Sequence, residues 1–193
     1  MEQAEVSVVE HVEGTRFLGS EFLIWLWFKV ELFDGHWVRP DSSALQVVLH
    51  SQLSFANFAD RQERTTLRGI NPSATNEAKM ALLCGKVPIS AKISFTLDES
   101  QDFTFVLDGL GFSFSSVKIP QAVVEGDEQF FDRMQLIDTL QTVFAELYAE
   151  FLSLRSTALW EKEFVPAVVA WSHGEESLSE RAYGGLLKRA VKR

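Results

Sequence analysis

The chain has 193 residues, of which 46% are hydrophobic and 23% charged, and its formal net charge is −9 at pH 7. These values exclude global disorder, and the length fits one domain with a substantial core rather than two. The single cysteine, Cys84, excludes an internal disulfide and a four-cysteine metal site, and it fits a reducing cytoplasm. We expect a buried, inert thiol there, with a catalytic thiol as the alternative.

A dense aromatic segment, FLGSEFLIWLWFKVEL, occupies residues 17–32. Its apolar run is bracketed by Glu21 and Lys29 and falls well short of the roughly 20 apolar residues that a membrane span requires. Residues 1–15 carry four glutamates and neither Lys nor Arg, unlike a secretory signal. We therefore predict a soluble protein without a membrane contact, in which other residues cover this segment.

The same segment predicts a helix that ends at Asp34 and Gly35. Its apolar residues lie all round the helix, which is typical of a helix that is buried on several sides. It is either the central core helix or a helix with one face on another subunit. For the second case the expected contact residues are Trp25, Trp27 and Phe28.

Alternating apolar residues predict five strands, bounded by turn residues. They cover residues 44–55, 63–70, 86–97, 103–108 and 112–119. The last three follow one another through short loops, which predicts an antiparallel meander with one aromatic face. Between the second and third strands, Asn71 and Pro72 predict the start of a helix that reaches Cys84, and Gly85 takes the position after its end.

The last third changes to a period of three and four residues, and the region between Asp127 and Phe164 contains neither Gly nor Pro. This predicts one long helix over 127–164, stopped by Pro166. A seven-residue apolar repeat suggests a seam against another helix or another subunit. The seam residues expected in self-association are Ile137, Phe144 and Phe151. The fold class is thus α+β, with one domain over 1–166.

Residues 167–193 are predicted to form a basic, amphipathic C-terminal tail. Five cations and no acid fall within 181–193, which leaves the rest of the chain more acidic than the whole. Such a tail can bind nucleic acid, a membrane surface or an acidic partner, or it can be a solvated terminal helix. The cations are Arg181, Lys188, Arg189, Lys192 and Arg193.

Motifs for catalysis or metal binding are not found. The four histidines show no spacing typical of metal ligands. Ser115 and Lys118 match an S-x-x-K pattern, but they lie in an alternating strand rather than at a helix start. Acidic residues at 125–128 precede the long helix, where they complement its dipole. We expect no catalytic residues, no metal and no cofactor.

The ordered unit LRGINPSATNEAKMALLCGKVPISAKISF, followed by two strands and a helix, resembles the C-terminal half of the RdgC family of recombination-associated proteins. The matching features are the helix start, Glu77, the Gly85-Lys86-Val87 step into a strand, and the helix through Leu140 and Leu147. The segment EFLIWLWF also resembles one found ahead of that unit. The resemblance covers roughly residues 17–160.

The resemblance implies a dimer that surrounds duplex DNA without sequence preference and limits access of the recombinase RecA. It therefore implies a non-catalytic accessory protein in the cytoplasm, on the nucleoid, with DNA, a second copy and a recombination protein as partners. In the body of the chain the lysines near the unit are Lys86, Lys92 and Lys118, which are either DNA contacts or solvated strand residues. The alternatives are an acidic protein-interaction module that does not bind DNA, and a nuclease.

Overall fold

A computed structural model describes residues 8–57, 63–121 and 128–174, with the side chains of the first helix described from residue 18. The helices are α1 (Val8–Leu32), α2 (Asn76–Leu83), α3 (Glu128–Arg155) and α4 (Val165–Ser172). The strands are β1 (His36–Val38), β2 (Ala44–Asn57), β3 (Arg64–Arg68), β4 (Lys86–Leu97), β5 (Gln101–Asp108) and β6 (Ser113–Lys118). The predicted α+β class is confirmed.

Within the described residues the six strands form one antiparallel sheet, in the order β1-β2-β4-β5-β6. The long strand β2 pairs with β4 along one edge. Along its other edge it pairs first with β1 and then with β3. The predicted meander of the last three strands is present as β4-β5-β6.

One face of the sheet carries the core. Alternate residues of β2, β4 and β5 are almost completely buried there, and rings such as Phe95 and Phe105 meet at 5.1 Å between their centres. The helices cover this face, and α1 crosses β4 and β2. Gly19 of α1 packs so closely on Gly109 that an added Cβ atom would lie 1.7 Å from the carbonyl oxygen of Gly109.

The aromatic part of α1 is buried by the chain itself. Trp25, Trp27 and Phe28 have no exposed surface. The ring of Trp27 lies 4.9 Å from that of Trp171, and the ring of Phe28 lies 5.4 Å from that of Phe164. Burying such side chains stabilises the fold by roughly 1.5–3 kcal/mol each. These residues belong to the core, and no surface of theirs is left for the subunit contact that the sequence analysis expected.

The predicted helix over 127–164 is interrupted. α3 ends at Arg155. Just beyond it, the hydroxyl group of Ser156 donates a hydrogen bond to the carbonyl of Ser153, and that of Thr157 donates one to the carbonyl of Leu154. Such side-chain bonds compete with helical ones and favour a helix end. A π-helical turn, Trp160–Phe164, then leads directly into α4.

Pro166 does not stop a helix, because it lies in the first turn of α4, where its missing N–H is no loss. The domain boundary predicted at residue 166 falls within the first turn of α4. Ala167, Trp171 and Ser172 of α4 are buried in the core, so the domain extends at least through α4. Residues 175–193, which contain the predicted tail cations, lie outside the described residues.

The predicted helix start at Asn71 and Pro72 corresponds to a 3₁₀ turn, Pro72–Ala74, rather than to α2. The side chain of Asn71 does not cap it, whereas the hydroxyl group of Thr75 accepts a hydrogen bond from the Ala78 N–H at the start of α2. α2 ends at Leu83 with Cys84 as its C-cap, and Gly85 follows with φ +78°, at the predicted position after the helix end. Cys84 is exposed, so the prediction of a buried thiol is wrong.

Candidate nucleic-acid interface

The face of the sheet opposite the helices is polar. Because Leu53 and Phe55 of β2 point into the core, Ser54 between them points to the other face. Ser54 shares a hydrogen bond of 3.0 Å with Thr66 of β3, and Ser94 shares one of 2.8 Å with Thr104 of β5. We call this surface the open face.

Four cationic side chains lie on the open face. Arg64 and Arg68 flank Thr66 on β3, and Arg68 is paired in register with Gln52. Lys92 of β4 is opposite Val106, and Lys118 of β6 is opposite Thr104, two residues along the same strand. Residues that face each other in an antiparallel pair share one side of the sheet. The strand β2 lies between the strands of Arg68 and Lys92, and β5 lies between those of Lys92 and Lys118. Each of these two pairs is therefore about 10 Å apart in the direction across the strands.

None of these four cations forms an ion pair with another described residue. Arg64, Arg68 and Lys118 are exposed, and Lys92 is half-buried. Two aspartates share this face, near its opposite ends. Asp102 accepts a hydrogen bond of 2.6 Å from Thr96, and Asp108 accepts one of 3.1 Å from the Leu110 N–H. The four cations of the open face thus outnumber its two aspartates, although the whole chain is acidic.

Four cations on the helical side of the molecule are paired with carboxylates. Arg39 donates two hydrogen bonds to Glu146, at 2.8 and 2.9 Å, and these bonds raise the pKa of Arg39. Lys29 is bonded to Glu150, and Arg155 lies 2.6 Å from Glu21. A fourth pair, between Lys79 and Glu31, joins α2 to α1. These ion pairs join the helices to one another and to the segment after β1.

Lys86 does not belong to the array on the open face. Its ammonium group lies 2.8 Å from a carboxylate oxygen of Glu63 and 2.9 Å from the hydroxyl group of Thr65. Thr65 is paired with Phe55, whose side chain points into the core. Of the body lysines proposed from the sequence, the structure thus brings Lys92 and Lys118 together and separates Lys86 from them.

Sequence reasoning missed Arg64 and Arg68, although it placed a strand there. The alternation of Arg64, Thr66 and Arg68 with Thr65 and Leu67 was a usable signal. The order of the strands in the sheet gave no such signal. β3 pairs with β2 rather than with β4, and this pairing places Arg64 and Arg68 on the same face as Lys92.

The seam residues of α3 differ in their exposure to solvent. Phe151 is buried, and the Phe144 ring contacts those of Phe22 and Phe114, at 5.4 and 4.9 Å. Both residues pack within the chain. Ile137, by contrast, is exposed. It continues an exposed apolar stretch at the start of α3, which also contains Phe130, Phe131 and Met134.

Within the described ranges no group of three or more His, Cys, Asp or Glu side chains could hold a metal ion. In the same part of the chain, no helix combines the length and the apolar character that crossing a bilayer requires. In comparisons with known proteins, no family model matches the chain, and no curated protein matches it either. The open face therefore has to be interpreted from its own chemistry.

Proposed function

We propose that this protein is a non-catalytic, sequence-independent DNA-binding protein that serves as an accessory factor in DNA recombination. The observation that carries the proposal is the open face, where Arg64, Arg68, Lys92 and Lys118 lie together without acidic partners among the described residues. The role in recombination is proposed from the resemblance to the RdgC family, and the DNA contact surface is proposed from the open face.

The chemistry of the open face suits a phosphate backbone. Arg and Lys donate charge-assisted hydrogen bonds to phosphate oxygens. The aromatic rings of β4 and β5 point into the core, so these strands offer no platform on which bases would stack. Contacts of this kind position a nucleic acid without reading its sequence.

The experiment that tests this proposal is a fluorescence-anisotropy titration of a labelled duplex at two salt concentrations. Each neutralised phosphate contributes about −0.9 to the slope of log K against log salt. The quadruple variant R64A/R68A/K92A/K118A should therefore bind less tightly to every sequence and lower the slope by up to about 3 to 4.

A matched control separates the open face from net charge. Arg133 and Lys162 are exposed on the helical side, and replacing both by Ala removes two charges, as K92A/K118A does. We expect K92A/K118A to weaken binding more than the control pair does. If the two pairs have equal effects, or if the wild type does not bind duplex at low salt, the proposal is wrong.

The tail cations are a second proposed contact, which the same titration can measure. Replacing Lys188, Arg189, Lys192 and Arg193 by Ala removes four positive charges from the tail. If the tail also contacts phosphates, this variant flattens the salt slope further, by up to about 4.

A second candidate is a protein-interaction module that does not bind DNA. It is favoured by the exposed apolar start of α3, because clustered apolar side chains on a soluble protein mark contact surfaces. This function predicts no anisotropy change with DNA at any salt concentration. It also predicts that replacing Phe131 abolishes partner binding and that the open-face variant does not.

A further inference from the structure

A cavity of about 430 Å³ lies between α1, β4 and α4. This volume is in the range of small-molecule sites in proteins. Its apolar wall is formed by Ile24, Val87, Trp160, Phe164 and three valines of α4. It lies on the helical side of the molecule, away from the open face, and is independent of the proposed DNA contact.

Few polar groups line this cavity, and two of them are paired with each other. Glu21 and Arg155 form an ion pair of 2.6 Å, so together they present no net charge to a ligand. The third is Ser20, which is 4% exposed. No hydrogen bond to its hydroxyl group is found among the described residues, and a serine hydroxyl can both donate and accept.

The floor of the cavity is the π-helical turn, where the rings of Trp160 and Phe164 stack with their centres 4.3 Å apart. Single π-helical turns occur frequently at functional sites. At the rim, Val165 and Val169 of α4 are 41% and 49% exposed, although they adjoin the apolar wall. A ligand in the cavity would cover this apolar surface.

We propose that the cavity binds a small, uncharged, mostly apolar molecule that carries one hydroxyl or carbonyl group. The apolar body lies on Trp160 and Phe164, and the polar group exchanges a hydrogen bond with Ser20. The paired charges of Glu21 and Arg155 select against a strongly charged ligand, because a free charge there would disrupt a partly buried ion pair.

The test uses 1-naphthol as the probe and the full chain, observed by methyl NMR spectroscopy. We expect 1-naphthol to shift the methyl resonances of Val87, Val165, Val168 and Val169 in a saturable way. Ser20→Ala should weaken binding by about 2- to 12-fold, the loss of one hydrogen bond. A charged analogue, 1-naphthalenesulfonate, should bind more weakly than 1-naphthol.

A blocking variant and its control complete the experiment. Val169→Trp fills the mouth from a position exposed enough to tolerate it, and Val38→Trp adds the same ring on β1, where the residue is 81% exposed. V169W should abolish the shifts and V38W should leave them unchanged. Absence of saturable shifts, equal shifts at exposed apolar residues of α3, or binding that V169W leaves intact would overturn the proposal.

Discussion

Lys29 extends from α1 into the core, where its ammonium group lies 5.1 and 4.7 Å from the ring centres of Trp25 and Trp37. Glu150 of α3 accepts hydrogen bonds from both Lys29 and the indole N–H of Trp37. Burial lowers the pKa of Lys29 below its ordinary value of 10.5, although Glu150 opposes that change. The desolvation of the ammonium group therefore outweighs its attraction to the carboxylate.

This site predicts how stability depends on pH. Because the pKa of Lys29 is lower in the folded protein, the unfolded chain binds more protons as the pH approaches 10.5, so stability rises in that range. Urea unfolding should show the wild type gaining free energy of unfolding, relative to Lys29→Met, between pH 8 and pH 10. Lys162→Met, at an exposed lysine, serves as the control. A difference that shrinks as the pH rises would contradict this account.

Replacing Gly19 by Ala should destabilise the protein, although helix propensity alone predicts that it stabilises. In an exposed helix Gly→Ala stabilises by roughly 1 kcal/mol. In α1, however, the added methyl group would meet the backbone of Gly109, 1.7 Å from its oxygen. We expect Gly19→Ala to reduce the free energy of unfolding by more than about 2 kcal/mol in urea titrations.

Gly69 is the matched control for this prediction, because an added Cβ atom there meets nothing within 4 Å. Gly69→Ala should leave the unfolding midpoint nearly unchanged. Equal effects of the two substitutions would mean that α1 does not approach the end of β5 so closely.

At the scale of elements, five of the six described strands were predictable because apolar residues alternate along much of their length, and alternation needs no partner. The strand β1 was missed because its three residues are too few to show an alternation. The pairing of β2 with β4 was not predictable, since it joins residues as distant along the chain as Leu45 and Leu97. The break after α3 was missed because its apolar period continues beyond Arg155, while the break depends on the short hydroxyl side chains of Ser156 and Thr157. On the open face, Lys92 and Lys118 were proposed, whereas Arg64 and Arg68 were missed although the alternation in β3 was a signal for them.

The start of α2 gives a prediction about capping. Thr75 caps the first turn through its hydroxyl group, whereas Asn71, which the sequence favoured, makes no such bond. Thr75→Ala should lower the free energy of unfolding by about 1 kcal/mol, and Asn71→Ala by clearly less. Thermal unfolding of both variants measures the difference. A larger loss from N71A would place the functional cap at the 3₁₀ turn.

At the scale of the molecule, charge is divided between the two sides of the sheet. On the helical side several cations are paired with carboxylates from other elements, as Arg39 is with Glu146 and Arg155 with Glu21. The open face leaves its cations without such partners among the described residues. In this arrangement a chain of net charge −9 can still present a positive surface.

Self-association stays a prediction. The surface that suits it best is the exposed apolar start of α3, because most of the residues expected from the sequence are buried in the core. The wild type should sediment as a dimer or larger species at micromolar concentration. Phe131 is 70% exposed, so Phe131→Asp should dissociate the assembly without loss of thermal stability. Phe144→Asp should instead destabilise the fold, because it buries a charge among rings. A wild-type monomer at these concentrations would contradict the prediction.

The central claim is that DNA lies on the open face, and differential acetylation of lysines tests it most directly. The protein is labelled with and without saturating duplex at low salt, and each lysine is quantified by mass spectrometry. Lys92 and Lys118 should be protected by DNA, while Lys162 on the helical side should react equally in both samples. Unchanged labelling of Lys92 and Lys118 under conditions where DNA is bound would contradict the account.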